Sequence, residues 1–151
     1  MRTGVRLGVD VGQVRIGIAR SDSSGSLVVP VSTIRRDGSD LARIAGIARK
    51  YEVIEIVVGL PLGLSGKEGS ASERARHYAG MVAGRTGVPV RLVDERLSTV
   101  SAHAALHEAG LDSRKHRAVV DQVAATVILE QALAIERSTG NAPGEPWKDQ
   151  T

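Results

Sequence analysis

Three acidic residues in this chain stand where an acid is costly to keep. Asp10 lies inside Val5 to Val11 (VRLGVDV), a run whose alternation of apolar and other residues is that of a β-strand. Asp is depleted in strands, and a carboxylate there needs a hydrogen-bond network, a counter-ion or a metal. On its own face of the strand stand Gly8 and Gly12, which have no side chain to cover it. Asp121 shares one helical face with Ala124, Ala125, Ile128, Ala132 and Ile135. A carboxylate on such an apolar stripe is unfavourable unless compensated. A salt bridge to Arg117, one turn earlier, is the structural explanation; a functional role is the other. Asp94-Glu95-Arg96 follows directly on a strand candidate, at the carboxyl end where α/β sheets collect functional groups. A solvated charged turn is the plainer reading of that segment.

Acids from three elements that converge at one end of a sheet support metal-assisted phosphodiester cleavage. Their hard oxygens suit Mg²⁺ or Mn²⁺. Two such ions roughly 3.5–4 Å apart can activate a water and stabilise the leaving oxygen of an in-line displacement. The histidines add no ligand pattern: His77 and His116 are isolated, and His103 and His107 share a helical spacing without an HExxH signature. Arg114-Lys115-His116-Arg117 precedes Asp121 by a turn or two. Cations at a helix start oppose the helix dipole, so this cluster reads better as a contact to a phosphate backbone than as a solvated face.

The elements that must position these residues are legible from pattern. Val14 to Arg20 repeats the strand periodicity after Gly12-Gln13 and predicts a hairpin with the first strand. Leu27 to Arg35 is a third strand, with Pro30 pointing to an edge position or a bulge. Ser39 is placed to cap a helix running to about Tyr51, with Leu41, Ile44, Ala45 and Ala48 as its apolar stripe. Val53 to Val58 is the β-branched run of a strand buried on both faces, broken at Gly59-Leu60-Pro61. A loop from Leu62 to Gly69 leads to a helix capped by Ser70 with Glu73 in a capping box, and Gly87 ends it. Val88 to Val93 is a fifth strand, Ser98 to Gly110 a short helix, and Ser113 to Arg137 a long one. The order predicts an α/β fold: three antiparallel strands, then parallel strands joined by helical crossovers, five in one mixed sheet flanked by helices. One domain over residues 1–137 is expected, with a disordered tail over 138–151.

Composition sets the outer limits. The 151 residues suit one domain. With 2% aromatic residues and no Phe, the core must be built from Val, Ile, Leu and Ala, and recognition by base stacking is disfavoured. The absence of Cys rules out disulfides and thiolate metal sites and fits a reducing compartment. No apolar run reaches a membrane span and no signal-peptide pattern opens the chain, so a cytoplasmic protein without membrane contact is expected. The net charge of +3 is compatible with a nucleic-acid partner.

Four segments taken in order carry a resemblance: GVDVGQVRIGIA (Gly8 to Ala19), VVGLPL (Val57 to Leu62), DERLST (Asp94 to Thr99) and DQVAATVIL (Asp121 to Leu129). The chain resembles the YqgF/RuvX family over about residues 5 to 137. The family comprises Holliday junction resolvases, also assigned as nucleases that mature the 5′ end of pre-16S ribosomal RNA. The resemblance implies a ribonuclease H-like fold. It maps an acidic metal-binding and catalytic triad onto Asp10, Glu95 and Asp121, although Asp94 stands next to Glu95 and strand alternation alone does not choose between them. It also implies that Arg15 contacts a phosphate and that Lys67 lies in a loop near the site. Arg96, Arg114, Lys115 and Arg117 complete the expected nucleic-acid contacts. The departure at Gln13-Val14, where the family usually has a small or basic pair, touches no catalytic position.

The expected function is therefore a metal-dependent endonuclease, using two Mg²⁺ or Mn²⁺ ions, in maturation of pre-16S rRNA, with the ribosomal particle as a candidate partner. A resolvase of branched DNA is the alternative; it would present paired sites in a homodimer, whereas an RNA processor can work as a monomer. A non-catalytic nucleic-acid-binding or ribosome-associated factor is an alternative of another class. A sugar kinase- or actin-like ATPase shares the first Asp-Gly hairpin, but needs two such domains with a nucleotide between them.

Overall fold

The computed structural model describes residues 1–63, 65–95 and 113–149, with the backbone alone for 113–118. In chain order the elements are β1 (Arg6–Val11), β2 (Arg15–Ser21), β3 (Val28–Arg35), α1 (Asp40–Lys50), β4 (Glu55–Leu60), α2 (Ser70–Thr86), β5 (Val90–Asp94), α3 (Ser113–Thr139) and β6 (Glu145–Pro146). They form one sheet in the order β3-β2-β1-β4-β5-β6. β1, β2 and β3 are antiparallel, β1, β4 and β5 parallel, and β6 antiparallel to β5. The mixed α/β architecture is as expected, with six strands where five were read.

The sixth strand is a correction to the expected disordered tail. Glu145 and Pro146 pair with Leu92 and Arg91, and Trp147 packs partly buried against the core beside Gly80 of α2. A two-residue strand containing Pro lacks any alternating pattern, so only the tertiary contact reveals it. β3 takes the opposite edge, and its register slips opposite Ile18 and Ala19, which face Ser32 and Pro30. Pro30 thus sits both on an edge and at a bulge, where its missing N–H costs no ladder bond.

Strand alternation divides the core into two layers. Leu7, Val9, Ile16, Ile18, Ile34, Ile56 and Val58 face α1 and α2. Val57 and Val93 face α3, packing on Ile128, Leu129, Ala132 and Leu133. The α3 layer is unusually close because the strands beneath it carry glycine. A Cβ on Gly8 would meet Ala125 O at 2.6 Å and Leu129 Cβ at 2.8 Å, and one on Gly17 would run into the backbone of Asp121. The buried stripe of α3 drifts as a 3.6-residue period requires: Ile135, placed on it by spacing, is 39% exposed, and Glu136 takes the buried position.

Two expected caps differ in detail. Neither Ser39 nor Gly69, the residue that precedes α2, makes a side-chain cap bond, and Ser70 is the first helical residue. Gly87 ends α2 in the left-handed conformation at φ 70°. The helix expected over Ser98 to Gly110 lies outside the described residues, as do Arg96, His103 and His107. Among the described residues no helix is long and apolar enough to cross a membrane.

Candidate active site

Asp10 leaves β1 on the α3 face, one residue before the strand ends. Its ladder partner is Gly17 of β2. Because Gly17 has no Cβ, the Asp121 backbone settles directly over it. A register pair and a glycine thus bring an acid of the first strand and an acid of the last helix together, though 111 positions separate them in sequence.

The third acid arrives from β5. Val93 belongs to the α3 layer, so Asp94 turns to the other face and Glu95 returns to the first. The Glu95 N–H donates to Leu60 O at 3.2 Å, extending the β4–β5 ladder by one step. Its side chain then reaches across β4 at Gly59, where a Cβ would run into Glu95 Oε2 and Ile128. The alternation that left Asp94 and Glu95 open in the sequence is fixed here by the packing of Val93 on α3: it is Glu95 that meets Asp10, and Asp94 is exposed.

Glu95 and Asp10 hydrogen-bond carboxyl to carboxyl, with Asp10 as acceptor. Burial pushes both up, each to about 7, and neighbouring charge adds to this: Asp121 acts on Asp10, and Asp10 and Asp94 act on Glu95. Two carboxyls held this close share a proton near neutrality. Asp121 is engaged differently, accepting a hydrogen bond from Arg15 Nε at 3.0 Å. Arg15, the expected phosphate contact, thus holds an acid from another element; the Arg117 side chain, which spacing suggested as a partner of Asp121, lies outside the described residues. Among the described residues no three acids or histidines close into a ready-made metal cage.

The donor set nevertheless fits a divalent cation. It consists of carboxylate oxygens, hard ligands suited to Mg²⁺ or Mn²⁺. Burial and neighbouring charge both oppose ionisation of Asp10 and Glu95, and a cation between carboxylates would offset that cost. Asp121, 19% exposed, is beside them.

No described contact joins the remaining candidates to the carboxylates. Lys67 is exposed in a tight loop closed by Gly63 N–H to Lys67 O at 2.9 Å. Arg114, Lys115 and Arg117 fall in the first turns of α3, where the backbone alone is described, upstream of Asp121. Sequence reading missed the clearances at Gly17 and Gly59. Both glycines lie within the quoted motifs, but a strand glycine signals close approach without saying to what.

The RuvX family, described as Holliday junction resolvase, matches residues 4–135. A "Putative pre-16S rRNA nuclease" of Nocardioides sp. (strain ATCC BAA-499 / JS614) is 56% identical over 96% of this chain and 97% of its own. A protein of the same name from Streptomyces coelicolor is 48% identical, over 96% and 89%. Among solved structures, T. thermophilus RuvC in complex with Holliday junction substrate matches with a TM-score of 0.57 and 17% identity, covering 95% of this chain and 99% of that one. That likeness places the fold among the ribonuclease H-like folds. The chain belongs to the RuvX family and is a nuclease, a hydrolase of phosphodiester bonds.

Proposed function

We propose that this nuclease is a divalent-metal-dependent endonuclease that matures the 5′ end of pre-16S rRNA, with Asp10, Glu95 and Asp121 as its catalytic ligands. The observation that carries the reading is the hydrogen-bonded pair of half-buried carboxyls, Asp10 and Glu95, with Asp121 close enough to raise the first. Among the described residues no cation offsets that pair, and a fold gains nothing from uncompensated acids. Asp10 and Glu95 would hold the ion jointly, giving up their proton, and Asp121 would complete the set on leaving Arg15. When bound, Mg²⁺ or Mn²⁺, as one ion or two, lowers the pKa of the attacking water and offsets charge on the leaving oxygen. Arg15, released, is then within reach of a phosphate beside the carboxylates. The RNA assignment is supported by the name its relatives carry at about half identity over the full chain. It also suits a chain with few aromatics, which must read backbone and shape. Ribosome biogenesis places such an enzyme in the cytoplasm, working with the ribosomal particle and requiring no dimer.

A second reading, resolution of branched DNA, is favoured by the family description and by the RuvC complex among the fold's neighbours. One experiment separates the two. Purified protein is given Mg²⁺ or Mn²⁺ with a single-stranded RNA bearing the 5′ pre-16S junction and, in parallel, a four-way DNA junction. Metal-dependent cutting of the RNA alone, absent in Asp10→Asn, is the expected result. Paired symmetric cuts in the DNA by a dimer would replace it with the resolvase. Cutting of pre-ribosomal particles but not of naked RNA would make the particle part of the substrate.

A further inference from the structure

At the end of the β2–β3 ladder Arg15 stands directly opposite Arg35. The next pair on the same face is Gly17 and Thr33. Gly17 lies beneath Asp121, and Thr33 Oγ1 accepts a hydrogen bond from Gln122 Nε2 at 3.0 Å. Arg35 is therefore on the α3 face, the face of the carboxylates. Its chain neighbours turn the other way. Ile34 is buried in the layer under α1 and α2, and Arg36 lies 4.7 Å over the Tyr78 ring and donates to Gly12 O at 3.1 Å.

Arg36 thus holds the hairpin, and Arg35 does not. Arg35 is exposed, and among the described residues no carboxylate pairs with it. Like charges directly opposite on one face of a ladder repel. Asp121 offsets Arg15; nothing described offsets Arg35. A phosphodiester backbone supplies negative charge at every step and would compensate both guanidiniums at once. β3 is the edge strand, so a polymer can pass over it without obstruction from a further strand.

We infer that Arg35 is a backbone-phosphate contact, the next step beyond Arg15 on a path that carries the nucleic-acid strand from the carboxylates over the β3 edge of the sheet. The inference rests on the nuclease reading of the carboxylates and adds a direction to it. The contact carries no base information, so it strengthens binding equally for all sequences.

The test is the salt dependence of binding. A labelled single-stranded RNA is titrated with the full chain in EDTA, so that nothing is cut, for the unaltered protein, Arg35→Gln and Arg49→Gln. Arg49 is exposed on α1, across the sheet, and its loss removes the same charge. Arg35→Gln is expected to weaken binding whatever the RNA sequence and to flatten the slope of log affinity against log salt by about 0.7. Arg49→Gln is expected to leave the slope unchanged. The thermal midpoint of Arg35→Gln should hold or rise, because a repulsion has been relieved; a fall would mark Arg35 as structural and overturn the inference. An unaltered slope in Arg35→Gln, or equal flattening in both variants, would also overturn it, while cleavage by the unaltered protein would leave the nuclease reading standing. Protein that neither binds nor cuts nucleic acid would sink both.

Discussion

Two clusters of charge lie under the same helix, and three elements contribute to both. β1 gives Arg6 to one and Asp10 to the other; α3 gives Glu136 and Asp121; β4 gives Glu55 to the first and the gap at Gly59 to the second. In the first cluster charge is matched. Arg6, 1% exposed, donates to Glu136 Oε2 at 2.7 Å, and Arg2 donates to Glu55 at 2.9 and 3.0 Å and to Glu136 Oε1 at 2.7 Å. Here Glu136 is held below its ordinary range: burial opposes this, and the two arginines outweigh it. In the second cluster Asp10 and Glu95 face each other with a shared proton and are pushed up. Burial acts on the acids of both clusters in the same direction. The presence or absence of partners decides the sign, so a buried acid marks function only where its charge is left unbalanced.

Breaking each cluster in turn should give opposite results, and this is the largest expected effect. If Asp10 holds the catalytic ion as proposed, Asp10→Asn removes a contribution of several kcal/mol and should lower the cleavage rate at least about 1000-fold. The same change removes a repulsion, so the metal-free protein at pH 8 should melt about 3–6 °C higher, or about 1–2 kcal/mol. Glu136→Gln strands Arg6 without its carboxylate and should cost about 3 kcal/mol of stability, while cleavage per folded molecule stays unchanged. Thermal melts in EDTA with cleavage rates for the two variants check both halves. A destabilised Asp10→Asn would make the acids structural.

Gly59→Ala keeps every charge and tests position alone. Its Cβ would enter the space of Glu95 Oε2 and Ile128. Displacing Glu95 by about an ångström should cost on the order of 100-fold in cleavage rate, with a smaller loss of stability, about 1–3 kcal/mol, from overpacking. Metal titration of the variant, followed by calorimetry, should show weakened binding.

The two clusters should also respond to pH with opposite signs. The folded values of Asp10 and Glu95, about 7, lie above their ordinary values of 3.8 and 4.5. Between about pH 4 and 7 the folded state therefore binds more protons than the unfolded one, and the stability of metal-free protein falls as pH rises through that window. Glu136 is lowered, so its contribution is present above its unfolded value and is lost as pH falls through the acid range. Melting in EDTA from pH 5 to 8.5 should show the first trend in the unaltered protein and a flatter one in Asp10→Asn. Saturating Mn²⁺ should remove the decline, because the ion replaces the shared proton.

Much of this was legible before the structure. Strand periodicity located β1 to β5 within a few residues, and an acid inside β1 and another on the stripe of α3 stood out because each broke its local pattern. The matched cluster escaped notice because Arg6, Glu55 and Glu136 occupy ordinary positions for charged residues at the ends of elements. Their burial depends on how β1, β4 and α3 stack. The pairing of Arg15 with Asp121 was equally hidden, since nothing in spacing connects a hairpin to the last helix. β6 escaped because its two residues carry no period.

The choice between Asp94 and Glu95 shows where pattern ends and packing begins, and it yields the smallest predicted effect. Five residues of alternation leave the phase of β5 undecided, because Val90, Leu92 and Val93 are all buried, on both faces. The phase is set by Val93 joining the α3 layer, which sends Asp94 outward and Glu95 inward. Asp94 then acts on the site only through space, as one of the charges that raise Glu95. Across solvent such an influence is weak. Asp94→Asn should therefore change the cleavage rate by no more than about 3-fold, under 1 kcal/mol, and should ease ionisation of Glu95, shifting the acid limb of the pH–rate profile slightly downward. Glu95→Gln should match the loss seen in Asp10→Asn. If the two substitutions had the reverse effects, the ladder step from Glu95 N–H to Leu60 O would not persist in the working enzyme, and β5 would have to shift by one residue to exchange its faces.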